Sequence, residues 1–146
     1  MNFARVAAAA VVAWIVSIPV GYVANEIVLR GLYDANSAAF RQPAQLQANL
    51  PIGFGLMLVG FLAFAYAYAK GYEGTNGTME GIRFGVLVAI MLCGFALIWN
   101  YVTMPISGRL SIAMMIDVIV EFALYGAIVG SIYKPLRLPV RQTATI

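Results

Sequence analysis

The sequence predicts an all-α membrane protein, folded as a four-transmembrane-helix up-down bundle with both termini in the cytoplasm. Of its 146 residues, 62% are hydrophobic and 10% are charged, whereas soluble domains carry about 25% charged residues. Four apolar stretches reach the roughly 20 residues that a helix needs to cross a bilayer. Their side chains do not alternate with the period of two that a membrane β-barrel requires. We therefore predict a single transmembrane domain over residues 1–146.

The predicted spans are separated by connections of very different length. Pro105 and Gly108 predict a tight turn between the third and fourth spans, which makes these two spans adjacent and antiparallel. The connection over residues 30–50 is the longest, and it is either a plain connector or a segment that docks a partner. We expect a short surface helix in it that stops near Pro43. The four spans are predicted over residues 3–29, 51–69, 84–106 and 110–133.

The distribution of basic residues predicts the orientation. Short cytoplasmic loops carry an excess of Lys and Arg, and six basic residues fall on the side of the termini against three on the other side. The count therefore favours termini in the cytoplasm and residues 30–50 outside, in a bacterial inner membrane. The six are Arg5, Lys70, Arg83, Lys134, Arg137 and Arg141, and the three are Arg30, Arg41 and Arg109.

The amino acids that are absent or rare exclude several classes of function. The chain has no histidine and one cysteine, Cys93. Histidine-ligated haem, histidine-dependent nucleophilic catalysis and dithiol redox chemistry are therefore excluded. The net charge of +3 is small and dispersed, which argues against nucleic-acid binding. We predict no catalytic residue, no metal and no cofactor, while a bound lipid, quinone or carotenoid stays open.

Five polar residues in or near the apolar stretches form the candidate site. Asp117 and Glu121 lie four residues apart on the fourth span and therefore share one helix face. Counting from the tight turn, we expect Asn100 at nearly the depth of Asp117. Asn25 and Glu26, near the end of the first span, would extend this polar layer. A charge at mid-membrane costs at least about 2.5–3.5 kcal/mol, so the two acids must face the bundle interior, another protein or water.

Three uses of the two acids compete. They can fix the helix register through hydrogen bonds to a neighbouring helix. They can also pair with a basic side chain of another subunit. Finally, they can relay protons or bind a cation, although hard-metal sites normally need more oxygen ligands than two carboxylates supply. The sequence leaves all three open.

Two G-x-x-x-G pairs predict close helix packing. Gly81 and Gly85 begin the third span, and Gly126 and Gly130 end the fourth. In lipid, such pairs let helix backbones approach closely. They serve either the bundle itself or contacts with other subunits. Arg83 lies between the first two glycines and can reach lipid headgroups, so we expect an interfacial docking corner there.

The stretch "AKGYEGTNGTMEGIRFGVLVAI", residues 69–90, resembles a pattern that recurs in small, largely uncharacterised bacterial four-helix integral membrane proteins. In those proteins a cytoplasmic E-G-x-R-F-G precedes the third span, and an Asp occurs in the fourth. The resemblance implies the four-helix fold and no established activity. The matching positions are Glu80, Gly81, Arg83, Phe84, Gly85 and Asp117.

These observations favour a non-catalytic accessory or scaffold subunit of a larger bacterial inner-membrane complex, such as a respiratory or photosynthetic one. Its partners would be membrane lipids and other membrane subunits. One alternative is a small proton- or cation-conducting or transport protein that uses Asp117 and Glu121. A second alternative is a quinone- or lipid-handling membrane enzyme.

Overall fold

The computed structural model of the protein describes residues 1–74 and 76–133. Four of its helices are long and apolar enough to cross a membrane, which confirms the predicted helical multi-pass architecture. Lys134, Arg137 and Arg141, which entered the orientation count, lie outside the described residues. We name the four helices span one, Phe3–Val28; span two, Pro43–Gly71; span three, Gly77–Thr103; and span four, Gly108–Ile132.

Spans one and three each contain a π-helical segment. Span one is α-helical over Phe3–Val23 and π-helical over Ala24–Val28. Span three is α-helical over Gly77–Leu92, π-helical over Cys93–Leu97 and α-helical again over Ile98–Thr103. A π segment inserts one extra residue into a helical turn, and such segments are frequent at functional sites. Spans two and four are α-helical throughout.

Two helices begin earlier than the sequence predicts. Span two starts at Pro43 rather than at residue 51, and Pro51 lies inside it. Pro43 begins this helix instead of ending a preceding one, because proline at the first helical position has no N–H group to leave unpaired. Span three starts at Gly77 rather than at residue 84. The connection between spans one and two therefore shrinks to residues 29–42.

The shortened connection has two small helical turns of its own, an α-helix over Arg30–Asp34 and a 3-10 helix over Ser37–Ala39. It lies at the same end of the bundle as the turn 104–107, and we call this end the loop side. The opposite end, which we call the terminal side, holds Met1, residues 72–74 and 76, and the end of span four. These names carry no statement about which side faces the cytoplasm.

Glycines bring the backbones of spans three and four into direct contact. A Cβ atom added to Gly81 would overlap the carbonyl oxygen of Gly126, and one added to Gly126 would overlap the carbonyl oxygen of Gly81. No residue larger than glycine fits at these positions without separating the helices. The two spans run antiparallel, and the facing positions are Gly77 with Gly130, Gly81 with Gly126 and Gly85 with Phe122.

Small and aromatic side chains join the other spans. On span one, Ala9, Ala10 and Ala13 are fully buried, and the indole Nε1 of Trp14 donates a hydrogen bond of 3.0 Å to the carbonyl oxygen of Phe54 on span two. This bond and the small alanine side chains hold spans one and two together.

Span two carries a stripe of aromatic residues that faces the bundle interior. Its members Phe61, Phe64 and Tyr68 are buried. The rings of Phe61 and Tyr125 meet edge to face at 5.1 Å between centroids, and those of Phe64 and Phe84 are 4.9 Å apart. The hydroxyl of Tyr68 donates to the carbonyl oxygen of Gly77 at 2.7 Å. These rings fill the space between span two and the close pair of spans three and four.

Candidate functional site

A groove of about 630 Å³ lies between spans one and four. This volume is within the range of small-molecule binding sites. Its walls are apolar except for two carboxylates, those of Asp117 and Glu121. Span one contributes Pro19, Val20, Val23, Ala24 and Val28, the adjoining connection contributes Leu29, and span four contributes Ala113, Ile116, Asp117, Val120 and Glu121.

The span-one wall of the groove is an irregular stretch of helix. Pro19 lies inside the helix and has no N–H group to donate to the preceding turn, which loosens the backbone there. The π segment Ala24–Val28 follows. Where it begins, the side-chain amide of Asn25 donates to the carbonyl oxygen of Gly21 at 2.8 Å. The wall is therefore built from a proline and a π segment rather than from a regular helical ridge.

Glu121 lies against the backbone of span one. A Cβ atom added to Gly21 would stand 3.9 Å from Glu121 Oε1. This oxygen is buried, and so is the hydroxyl of Tyr125 one turn further along span four. The Glu121 carboxyl group and the Tyr125 hydroxyl are close enough to interact as hydrogen-bond partners, but their contact does not meet strict hydrogen-bond geometry, and neither oxygen has another partner within residues 1–74 and 76–133. Buried polar atoms are normally paired, so these two call for an explanation.

The two carboxylates lack a counter-charge from the part of the chain that the structure describes. The one ion pair there joins Arg30 to Asp34 at 3.8 Å, with both side chains largely exposed. The other described basic residues lie near the ends of the spans, within about two helical turns, whereas Glu121 lies near the middle of span four. The site is therefore acidic and apolar at once.

The connection between spans one and two begins at the loop-side end of the groove, where Leu29 lines it. Tyr33, in the helix Arg30–Asp34, is half-buried. Burial raises the pKa of the Tyr33 hydroxyl, and the negative charges of Asp117 and Glu121 raise this pKa further. The hydroxyl therefore stays protonated at neutral pH, and it interacts electrostatically with both carboxylates.

The long edge of the groove is open to the side of the bundle. Its rim is formed by Val23 and Val28 on span one and by Ile116 and Val120 on span four, and each of these side chains is exposed. In a membrane these positions face lipid or a neighbouring helix. A ligand or a partner would thus enter the groove laterally, from within the bilayer.

The structure brings some of the predicted polar residues together and separates others. Asp117 and Glu121 both line the groove. Asn25, one turn beyond Gly21, reaches about the depth of Asp117, but its side chain is engaged with the Gly21 carbonyl oxygen. Glu26 is exposed and is not among the groove-lining residues.

Asn100 does not lie at the depth of Asp117. Cys93 on span three contacts the carbonyl oxygen of Met115 on span four at 3.8 Å, which sets the relative height of the two helices. Asn100 is seven residues from Cys93 toward the loop side, and Asp117 is two residues from Met115 toward the terminal side. At 1.5 Å per residue the two lie about 13 Å apart in depth. The predicted polar layer therefore does not include Asn100.

The glycines predicted for packing or docking lie inside the chain. Gly81, Gly85, Gly126 and Gly130 are buried and form the contact between spans three and four, so they are not a free surface for a partner. Arg83 is exposed beside this contact, on the terminal side.

Three residues of these sites were missed by the sequence prediction. Gly77 extends the glycine pair on span three by one turn, and its spacing of four from Gly81 was a readable signal. Gly21 offers the open backbone against which Glu121 lies, and the apolar run around it gives no such signal. Tyr33 approaches the carboxylates only through the fold of the connection.

The groove cannot be assigned by similarity to other proteins. No protein-family model, no curated protein and no solved structure matches this chain. Within the described residues, no three His, Cys, Asp or Glu side chains are grouped as a metal ion would require. A function for the groove is therefore inferred from its lining residues.

Proposed function

We propose that this chain is a non-catalytic accessory subunit of a larger bacterial inner-membrane complex, and that its groove receives a basic side chain from a transmembrane helix of a partner. The observation that carries this proposal is the pair of carboxylates, Asp117 and Glu121, in a laterally open apolar groove without a described basic residue beside them. A respiratory or photosynthetic complex is the kind of host that we expect.

The cost of an unpaired charge explains why the groove needs a cationic occupant. An ionised carboxylate in the middle of a bilayer is costly, and breaking a buried ion pair by removing one partner costs about 3–5 kcal/mol. An Arg or Lys delivered by a partner helix would neutralise the acids and supply hydrogen-bond donors to Glu121 Oε1. The same pairing would fix the partner's position along the membrane normal.

The shape of the groove favours a helix over a second copy of this chain. Its wall on span one, from Pro19 to Leu29, is about 15 Å long, which corresponds to between two and three turns of a packed helix. The exposed valines and isoleucine at its rim suit side-to-side helix contact. A second copy would carry no basic residue at the depth of Glu121, because the Lys and Arg residues of this sequence lie near the ends of the spans or outside them.

The orientation completes the proposal. The basic residues favour the loop side outside and the termini in the cytoplasm. The groove, which extends from the middle of span four toward the loop side, would then lie mainly in the outer half of the membrane. The partner's basic residue is accordingly expected at or slightly outside the midpoint of its helix.

The test is retention of the partner. An affinity-tagged chain is expressed in the bacterium that encodes it and is purified in mild detergent, and its native assembly is measured on blue native gels. We expect a complex larger than a dimer, which Asp117→Asn combined with Glu121→Gln disrupts. Glu26→Gln is the matched control, because Glu26 is exposed outside the groove. Migration of the unaltered chain as a lone monomer or homodimer would refute the proposal.

One observation favours a second candidate, a small proton- or cation-conducting or transport protein. Glu121 Oε1 is buried without a hydrogen-bond partner among the described residues, and a carboxyl group in that state is suited to exchange a proton for a cation. Cation-dependent proton flux in liposomes tests this function. Flux that is unchanged by Asp117→Asn and Glu121→Gln would exclude it.

The quinone- or lipid-handling enzyme stays a prediction that no observation favours.

A further inference from the structure

At the loop-side end of the groove, Leu29 is followed by a segment that is hydrogen-bonded to the start of span four. Directly after Leu29, the backbone N–H groups of Leu32 and Tyr33 both donate to the Leu29 carbonyl oxygen, at 2.9 and 3.1 Å. A short helix, Arg30–Asp34, therefore begins directly at the end of the groove. Leu29 itself is buried and lines the groove.

Asn36 fastens this segment across the end of the groove. Its side-chain Oδ1 accepts a 2.7 Å hydrogen bond from the backbone N–H of Ser107, and its Nδ2 donates to the Ser107 hydroxyl at 3.2 Å. The same Nδ2 donates to the carbonyl oxygen of Leu32 at 2.7 Å. The Ser107 hydroxyl in turn accepts from the N–H of Leu110 at 3.3 Å as the N-cap of span four. One side chain thus joins the segment to a position 71 residues away.

Two half-buried aromatic residues of this segment contact each other. The rings of Tyr33 and Phe40 meet edge to face at 5.3 Å between centroids. The hydroxyl of Tyr33 also interacts electrostatically with Asp117 and Glu121. Because Leu29, which precedes the segment, lines the groove and Asn36 is bonded to Ser107 before span four, the segment crosses from span one to span four at the loop-side end of the groove.

We propose that residues 30–40 form a cap that keeps water on the loop side out of the carboxylate groove, and that the Asn36–Ser107 hydrogen bonds are the latch that holds this cap closed. The cap does not cover the lateral opening. Molecules therefore enter and leave the groove from the bilayer rather than from the aqueous phase. Releasing the latch would admit water and soluble cations to Asp117. This inference rests on the proposed function only in treating the groove as a binding site.

The experiment measures water access and needs no knowledge of the partner. Cys93 is replaced by Ala, and Ala113 in the groove wall is replaced by Cys in the full chain, which is reconstituted in lipid nanodiscs. The reaction rate with a cationic, membrane-impermeant methanethiosulfonate is then recorded. A separate Ala44→Cys protein, modified at an exposed position near the start of span two, gives the rate for an open site.

The latch is tested with a matched pair of asparagines. Asn36→Ala removes both bonds to Ser107, so we expect Ala113→Cys to react about tenfold faster, which corresponds to about 1.4 kcal/mol for the two exposed bonds together. Asn49→Ala is the control, because the Asn49 side chain makes only the bond to its own helix, donating to the Gln45 carbonyl oxygen at 2.7 Å. Asn36→Asp keeps the acceptor for the Ser107 N–H and should raise the rate less than Asn36→Ala does.

Two results would overturn the proposal. In one, Asn36→Ala and Asn49→Ala give the same rate at Ala113→Cys, which means that no latch operates. In the other, Ala113→Cys reacts as fast as Ala44→Cys in the chain with Asn36 intact, which means that the cap does not exclude water. Neither result depends on partner association, so failure of the cap is distinguishable from failure of the proposed function.

Discussion

Gly21 on span one faces Glu121 on span four, with 3.9 Å between Glu121 Oε1 and the position that a Cβ atom on Gly21 would take. This distance is an ordinary van der Waals contact. A side chain that extends beyond Cβ at position 21 would therefore overlap the Glu121 carboxylate. Substitutions that enlarge residue 21 therefore test whether the Glu121 carboxylate lies against span one.

Enlarging Gly21 should therefore have a strongly size-dependent effect. Gly21→Ala places its Cβ atom in permitted contact, and we expect little change in the thermal midpoint in detergent. Gly21→Leu must displace the Glu121 carboxylate, which we expect to cost about 1–3 kcal/mol. Gly60→Leu is the control, because nothing lies within 4 Å of a Cβ atom on Gly60. Equal midpoints for Gly21→Leu and Gly60→Leu would contradict the described packing.

The glycine contact between spans three and four predicts a cost even for alanine. Gly81→Ala drives a methyl group into the carbonyl oxygen of Gly126, and its Cβ would also stand 3.1 Å from Gly130 Cα. The obstacle is backbone, which cannot rotate away, so we expect a loss of about 3 kcal/mol in unfolding by denaturing detergent. Gly60→Ala should cost nothing, and the argument fails if the two variants unfold alike.

Two buried tyrosines should respond to different degrees to loss of the hydroxyl. Tyr68 donates to the Gly77 carbonyl oxygen, so Tyr68→Phe should destabilise the fold by about 1 kcal/mol. The buried hydroxyl of Tyr125 meets only the Glu121 carboxyl group, outside strict hydrogen-bond geometry, so Tyr125→Phe should destabilise the fold less than Tyr68→Phe does. Thermal midpoints of the two variants, measured side by side, test the contrast. A large loss for Tyr125→Phe would show that its hydroxyl is paired.

The two tryptophans offer a similar comparison. Trp14 ties span one to the Phe54 carbonyl oxygen of span two, whereas Trp99 is 59% exposed. Hydrogen bonds between membrane helices contribute about 0.6 kcal/mol on average, so Trp14→Phe should lower stability by at least that amount. Trp99→Phe should leave it unchanged. The assignment of the bond is contradicted if Trp99→Phe is the more destabilising of the two.

The sequence was sufficient to predict the helical class, because composition and the length of apolar runs are direct consequences of bilayer thickness. It also predicted that Asp117 and Glu121 share a face, since four residues make nearly one helical turn. The starts of spans two and three were misplaced because hydropathy reports where the lipid ends, and a helix can continue into water. Pro43 shows the difference, since it begins a helix in a polar stretch.

The composition of the site was harder to predict than the fold. Asn100 was placed by counting residues from the tight turn, and this count misjudged the relative height of spans three and four by about 13 Å. Tyr33 and Asn36 come to the groove only because the connection folds back over it, and their sequence neighbours give no sign of this. Contacts that depend on how a connection folds are tertiary properties, and residue spacing does not determine them.

The most direct test of the central claim is the association of this chain with a designed helix. A leucine-rich transmembrane peptide with one arginine at its midpoint is reconstituted with the protein, and binding is followed by resonance energy transfer against the same peptide with leucine at that position. We expect the arginine peptide to bind about tenfold more tightly to the unaltered chain. This preference should persist in Glu26→Gln and disappear when Asp117→Asn is combined with Glu121→Gln. Equal binding of the two peptides to the unaltered chain, or a preference for arginine that survives the double substitution, would contradict the proposal.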